Sequence, residues 1–194
     1  DGGGCRVSGE TTLANCIFGG NHAEDGGGVH ANELTTVINT TFVGTSTTND
    51  GAGIFNENGT LIVSSCTFTG NAADTSGGAL YNDDDDVSIT NSILWANTPD
   101  ELDRDAEADT QTTLVACIVD NGLPAWTVDG GDNLDSDPAF VDADGADDTF
   151  GTEDDDVRVA AGSPAVDSGL TSQLLFDSLD LDGDGNTAER TPID

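Results

Sequence analysis

A motif that recurs about every 25 residues constrains this chain more than any other feature. Gly-rich steps stand at Gly2-Gly3-Gly4-Cys5, Gly26-Gly27-Gly28-Val29, Gly51-Ala52-Gly53-Ile54 and Gly77-Gly78-Ala79-Leu80, and their last residues lie 24, 25 and 26 positions apart. A second landmark follows each step: LANCIFGGN, VINTTFVGT, VSSCTFTGN, ITNSILWAN and the weaker LVACIVDNG. Alignment puts Phe18, Phe42, Phe68, Leu94 and Val119 in one column, and Leu13, Val37, Val63, Ile89 and Leu114 in another. Asn15, Asn39, Ser65 and Asn91 form a third column, and Asn21, Asn71 and Asn97 a fourth.

Within each period the apolar residues alternate over short runs broken by Gly and Asn, which is the strand period. No helical pattern survives in residues 1–98. A repeat of strand and turn at this length is one coil of a solenoid. We therefore expect an all-β, right-handed parallel β-helix of about five coils. At a strand spacing of about 4.8 Å, five coils make a rod of about 24 Å. A β-sandwich, the competing architecture, would give hairpin pairs between unequal strands and no in-register columns. In the solenoid, Phe stacks on Phe inside, and Asn amides hydrogen-bond along the ladder at turns. Cys16, Thr40, Cys66, Ser92 and Cys117 share an inward column of small residues. Cys16 and Cys66 then lie two coils apart, about 9.6 Å, too far for a disulfide. Buried thiols are expected, and Cys5 with Cys16 is the one pair worth checking for a bond.

Charge is the next constraint. The chain has 38 acidic residues, four arginines and no lysine, for a net charge of −34. That field repels nucleic acid and anionic membranes, so neither is expected as a partner. It fits a halophile's solvated surface, binding of many divalent cations, or both. Only eight of the acids lie in residues 1–82 and thirty in 83–194. Salt adaptation spreads acids over every surface, whereas metal loops concentrate them, so calcium is favoured. No apolar run is long enough to span a membrane. The chain contains no methionine, which is expected of a mature or excised segment of a longer precursor.

The Gly step followed by FxGN resembles the extracellular β-helix repeats of bacterial surface proteins, including the chlamydial polymorphic outer-membrane type. From about residue 26 to the end, SILWAN, GDNLDSDPAFVDADG, GTEDDDVRVAAGSPAVDSG and DLDGDGN resemble the choice-of-anchor Q group of large secreted or cell-surface bacterial proteins. That group ends in a further strand, and this chain resembles one stopping just before it. The resemblance implies a parallel β-helix and an extracellular or cell-surface location. It implies little about activity.

Two acidic loops are candidate calcium sites. Asp180, Asp182, Asp184 and Asn186, with Gly185 between the last two and Glu189 beyond, match the start of an EF-hand-type loop. Position 12 is Thr191 and no helix-forming sequence flanks the loop, so calcium is expected without the EF-hand fold. The second cluster joins Asp142, Asp144, Asp147 and Asp148, through Thr-Phe-Gly-Thr, to Glu153, Asp154, Asp155 and Asp156. Seven Asp and one Glu in fifteen residues repel one another unless counter-ions are bound. The run Asp83–Asp86 reads as a solvated loop between strands. These loops divide the chain into coils over 1–140 and an acidic, calcium-binding C-terminal cap over 141–194, packed on the last coils.

The Gly steps are not phosphate loops, because no GK[ST] and no helix follows. Nor do they recur every nine residues, as toxin-type calcium repeats do. An enzyme is the serious rival reading, since parallel β-helices include lyases and glycoside hydrolases. A lyase needs a base and cationic neutralisation of a uronate, which four scattered arginines provide poorly. Arg158, in VRV, is expected to pair with nearby acids. His22 and His30 read as loop or stacking residues. Hydrolysis needs only two carboxylates, but Tyr81, Trp95 and Trp126 are nearly the whole supply of sugar-stacking rings. The favoured function is a structural or adhesive extracellular module. Its partners would be extracellular polysaccharide or further copies of itself, because residue 1 enters the first Gly step directly and leaves an open end. Asn39-Thr40-Thr41 and Asn58-Gly59-Thr60 are N-glycan acceptor patterns.

Overall fold

The computed structural model describes residues 2–106, 110–178, 180–181 and 183–190. Its core is a parallel β-solenoid, as the repeat predicts. Sheet A stacks Cys5–Val7, Val29–Asn32, Ile54–Asn58, Leu80–Asn82 and Leu102–Arg104. Sheet B stacks Thr11–Ala14, Thr35–Ile38, Leu61–Ser64, Val87–Thr90, Thr112–Val115 and Val128–Asp129. Sheet C stacks Ile17–Gly19, Thr41–Val43, Thr67–Thr69, Ile93–Trp95 and Ile118–Val119. A short sheet D joins His22–Ala23, Ser46–Thr47 and Ala72–Ala73. Every pairing among these strands is parallel, with Phe18 on Phe42, Phe42 on Phe68 and Phe68 on Leu94 as the columns require.

The inward columns make one continuous core. Phe42, Phe68, Leu94 and Val119 from sheet C meet Val37, Val63, Ile89 and Leu114 from sheet B, all fully buried. The rings of Phe18, Phe42 and Phe68 stack, with centroids 5.0 and 4.6 Å apart and planes within 9°. Each buried side chain of this size contributes roughly 1.5–3 kcal/mol. The Gly steps make room for them. A Cβ on Gly28 would stand 2.7 Å from the ring of Phe42 and 2.6 Å from the Gly53 carbonyl oxygen. In the fourth coil the step carries Ala79, and the residue in the Phe column is the slimmer Leu94.

The turns carry polar ladders. Asn15, Asn39, Ser65, Asn91 and Ala116 all adopt the left-handed conformation, with φ between 46 and 56°, and four of the five are residue types with short polar side chains. Asn39 donates its amide to Asn15 Oδ1 at 2.7 Å. A buried ladder runs beside it. Thr45 donates its backbone N–H and hydroxyl to Asn71 Oδ1, Asn71 Nδ2 donates to Asn97 Oδ1, and Asn97 donates to both oxygens of Glu101. Such satisfied networks fix register in an interior where an unpaired polar group is costly.

The two ends of the stack differ. At the C-terminal end Leu123 and Trp126 pack against the core, and the Arg104 guanidinium lies 5.1 Å from the Trp126 ring centroid. At the N-terminal coil Cys5, Leu13 and Phe18 are only partly buried and Ile17 is 78% exposed. Among the described residues its strands pair on one side only.

After Leu134, which bridges Ile118, the chain leaves the coils and folds back along them. Phe140–Asp142 and Asp156–Val159 form an antiparallel hairpin. The loop it carries reaches the turn column Gly20, Gly44 and Gly70, where a Cβ on Gly70 would stand 2.1 Å from Phe150 Cγ. Further on, Leu170 takes a two-bond clasp from the Asn91 amide, and Leu175 and Phe176 line a cleft with Thr36 and Ile62 of sheet B.

Candidate functional site

The acidic loops are the sites that the sequence singles out. The Thr149–Thr152 turn does bring the two acidic runs together. Asp154 Oδ2 accepts the Ala146 backbone N–H at 2.8 Å, and its Oδ1 accepts the Thr152 hydroxyl at 2.7 Å. The Thr152 bond holds the Asp154 carboxyl below the usual carboxylate range. Asp142 lies opposite Asp156 in the hairpin. Asp156 is engaged by Arg158, through Nε at 2.8 Å and Nη2 at 2.5 Å, and this pairing lowers its pKa. Arg158 therefore takes the structural role expected of it. Asp147 Oδ1 accepts the Thr149 N–H, Asp144 offers its backbone carbonyl to the same donor, and Asp148 turns with φ of 53°. Glu153 is exposed.

In the second loop Asp180 Oδ1 accepts the Gly185 N–H, Asp184 Oδ1 accepts that of Asn186, and Asn186 donates to Glu189 Oε2. Asp182 lies outside the described residues. Among the described residues no three His, Cys, Asp or Glu side chains gather into a metal-holding group. The carboxylate oxygens named here accept from backbone N–H groups and side chains of their own loops, and Asp156 is paired with Arg158. The run Asp83–Asp86 does the same between coils, with Asp85 accepting from Gly59 and Asp86 from Gln111.

A feature that motif reading passed over lies on the outer face of sheet A. The register aligns Arg6, His30, Phe55, Tyr81 and Asp103 in one outward column. His30 packs at 5.0 Å on Phe55, and Phe55 stacks on Tyr81 at 5.5 Å and 5°. Glu57 Oε2 collects three donors: Arg6, His30 Nε2 at 2.8 Å and Asn32 at 2.6 Å. His30 is thus a stacking residue, buried to 5% exposure. Acids surround the aromatic ladder. Burial, then Asp50 and Asp83, push the Tyr81 hydroxyl up to about 12. Burial also raises Asp50 and Asp83, the latter with Asp105 and Asp84 adding repulsion. The signal for this column was present in the sequence. Each ring follows directly on the last residue of a Gly step, at Val29, Ile54 and Leu80.

All four cysteines are free thiols. Burial pushes Cys66 up to about 12 and Cys117 to about 11, as an inward column of small residues implies. The remaining arginines are occupied. Arg190 lies 4.5 Å over the Phe176 ring and donates to the Leu174 carbonyl, and Arg104 donates to that of Thr110.

Residues 65–83 match the Chlamydia polymorphic membrane protein repeat. The segment runs from the turn at Ser65 through the Phe68 strand to the sheet A strand at Leu80, which is most of one coil. No curated protein and no solved structure matches the chain. Among the described residues no helix is long and apolar enough to cross a membrane.

Proposed function

We propose that this chain is a non-catalytic structural or adhesive module of a secreted or cell-surface bacterial protein of the choice-of-anchor Q type. The observation that carries the reading is a stack of in-register coils, one of which matches a repeat of a surface-protein family. The chemistry agrees. A lyase needs unengaged cationic groups beside its substrate, and the chain's arginines are committed to Glu57, Trp126, Asp156 and Phe176.

Two finer parts belong to this proposal. One is that calcium neutralises the loops carrying Asp142 to Asp156 and Asp180 to Glu189, where local hydrogen bonds and the Arg158–Asp156 ion pair otherwise relieve repulsion between carboxylates. The other is that the N-terminal coil accepts a further coil, from a second copy, along its one-sided strands. Thermal melting of the purified chain with calcium, magnesium, molar sodium chloride or chelator, together with light scattering, tests both. A calcium-specific rise in Tm is expected, with growth of large particles. Equal effects of calcium and magnesium would remove the metal sites, and a monodisperse monomer in calcium would remove the assembly.

A second reading, glycoside hydrolysis, is favoured by one observation: the raised carboxyls of Asp50 and Asp83 beside Tyr81. A carboxyl held up by burial is a candidate general acid. Release of reducing ends from neutral polysaccharides, lost in Asp83→Asn, would establish it over the adhesive reading. No release is expected.

A further inference from the structure

The turn between sheets B and C contains a gap in its ladder. Asn39 reaches back to Asn15, but Ser65 is too short to continue the chain of amides, and its hydroxyl is buried without a hydrogen-bond partner among the described residues. On the other side of Ser65, Asn91 has turned its amide to the folded-back arm. It accepts the Leu170 N–H at 2.8 Å and donates to the Leu170 carbonyl at 3.2 Å. The arm is thereby tied to the turn at this point. Between arm and turn lies a cleft of about 410 Å³, lined by Asn39, Ser65 and Asn91 on one side and Asp167 and Ser168 on the other. Ile93 and Ile118 supply its apolar surface.

We propose that this cleft binds a single neutral pyranose unit of a glycan. Its volume is at the small end of ligand clefts. Its walls carry amides and hydroxyls, which serve a ligand that both donates and accepts. The orphaned Ser65 hydroxyl, which has almost no accessible surface, meets such a partner by changing rotamer. Half-buried Ile93 matches the C–H face of a sugar ring. One carboxylate and a net charge of −34 disfavour uronates, sulfated sugars and phosphates. The proposal deepens the adhesive reading by naming what the module holds, and it rests on that reading only for the biological use of the binding.

The test uses the full chain, labelled with 15N and titrated with methyl glycosides of glucose, galactose and mannose, and with glucuronate as the anionic control. Saturable shifts at Asn39, Ser65, Asn91 and Gly169 are expected with at least one neutral glycoside, in the millimolar range usual for a small contact. The informative variant is Ser65→Asn. Asn tolerates the left-handed backbone there, fills the gap, and continues the ladder from Asn39. It is expected to keep or raise Tm while weakening the glycoside at least tenfold. Absence of shifts, shifts that persist in Ser65→Asn, or equal shifts with glucuronate would each overturn the assignment. Retention on an immobilised neutral polysaccharide reports separately on adhesion. Glycoside binding without retention leaves the cleft standing and removes the adhesive reading, and retention by Ser65→Asn places adhesion elsewhere and removes the cleft as its cause.

Discussion

The ring of Phe68 lies against Gly53, its Cδ1 atom 2.9 Å from the point where a Cβ on that glycine would stand. The same relationship joins Gly28 to Phe42 and Gly4 to Phe18. It explains why glycine sits beside phenylalanine in three successive coils. Gly53→Ala is expected to lower stability by about 1–3 kcal/mol through overpacking. Adding Phe68→Leu, the pairing already present at Ala79 and Leu94, should restore only part of it, since the Ala79 carbonyl oxygen lies 2.3 Å from the new Cβ. Denaturant melts of both singles and the double give the coupling. Strict additivity would argue against the ring contact.

Asn71 is fully buried and satisfies Thr45 and the Phe42 carbonyl on one side and Asn97 on the other. Its replacement by Ala orphans several of these groups at once. A loss on the order of 3 kcal/mol is expected, read as a shift of the urea midpoint at constant slope. A change below about 1 kcal/mol would mean that water fills the ladder.

Glu101 closes that ladder, and burial pushes its carboxyl up from 4.5 to about 7 against the pull of two bonds from Asn97. Over that window the native state holds a proton that the unfolded chain has released. Stability from this group is therefore present below pH 4.5 and lost as pH rises towards 7. Comparing Glu101→Gln with the parent removes the background of the other acids. The difference in stability between the two is expected to change by about 1–3 kcal/mol across this window, and parallel pH profiles would refute the assignment.

Gly70 has φ of 63° and leaves space for the Phe150 ring. Gly70→Ala is expected to expel that ring and loosen the acidic hairpin while leaving the core intact. Hydrogen exchange should rise at Gly151 and Thr152, whose N–H groups are held by Asp155, with little change at Val63 or Ile89. Uniform acceleration would show that the hairpin and the coils open together.

Cys66 and Cys117 are buried with raised thiols, while Cys5 and Cys16 are half-buried in the first coil. An alkylating reagent at neutral pH is expected to modify Cys5 and Cys16 in the native protein and all four cysteines only after unfolding. Native labelling of Cys66 would mean that the solenoid breathes through its sheet C turn.

Much of the fold was legible in the sequence because a solenoid repeats its physics. Phe18, Phe42 and Phe68 recur at one spacing since each packs on the one before, so a column in an alignment is a column in space. The Asn column at residues 15, 39 and 91 was legible for the same reason, as was the burial of Cys66 and Cys117. The outward series His30, Phe55 and Tyr81 was equally periodic, but its members differ chemically and so do not announce themselves. What periodicity cannot reach is the return of the chain after residue 134. The seat of Phe150 on Gly70, the clasp of Leu170 on Asn91 and the cleft left at Ser65 join segments far apart in the chain, 79 residues in the case of the clasp. Each is made once, with no repeat to reveal it. The coils can be read from the residues alone, because stacking like on like is a local rule applied coil after coil. Where the acidic arm lies and which carboxylates meet depend on the folded surface, because a single non-repeating contact is chosen by the surface it finds.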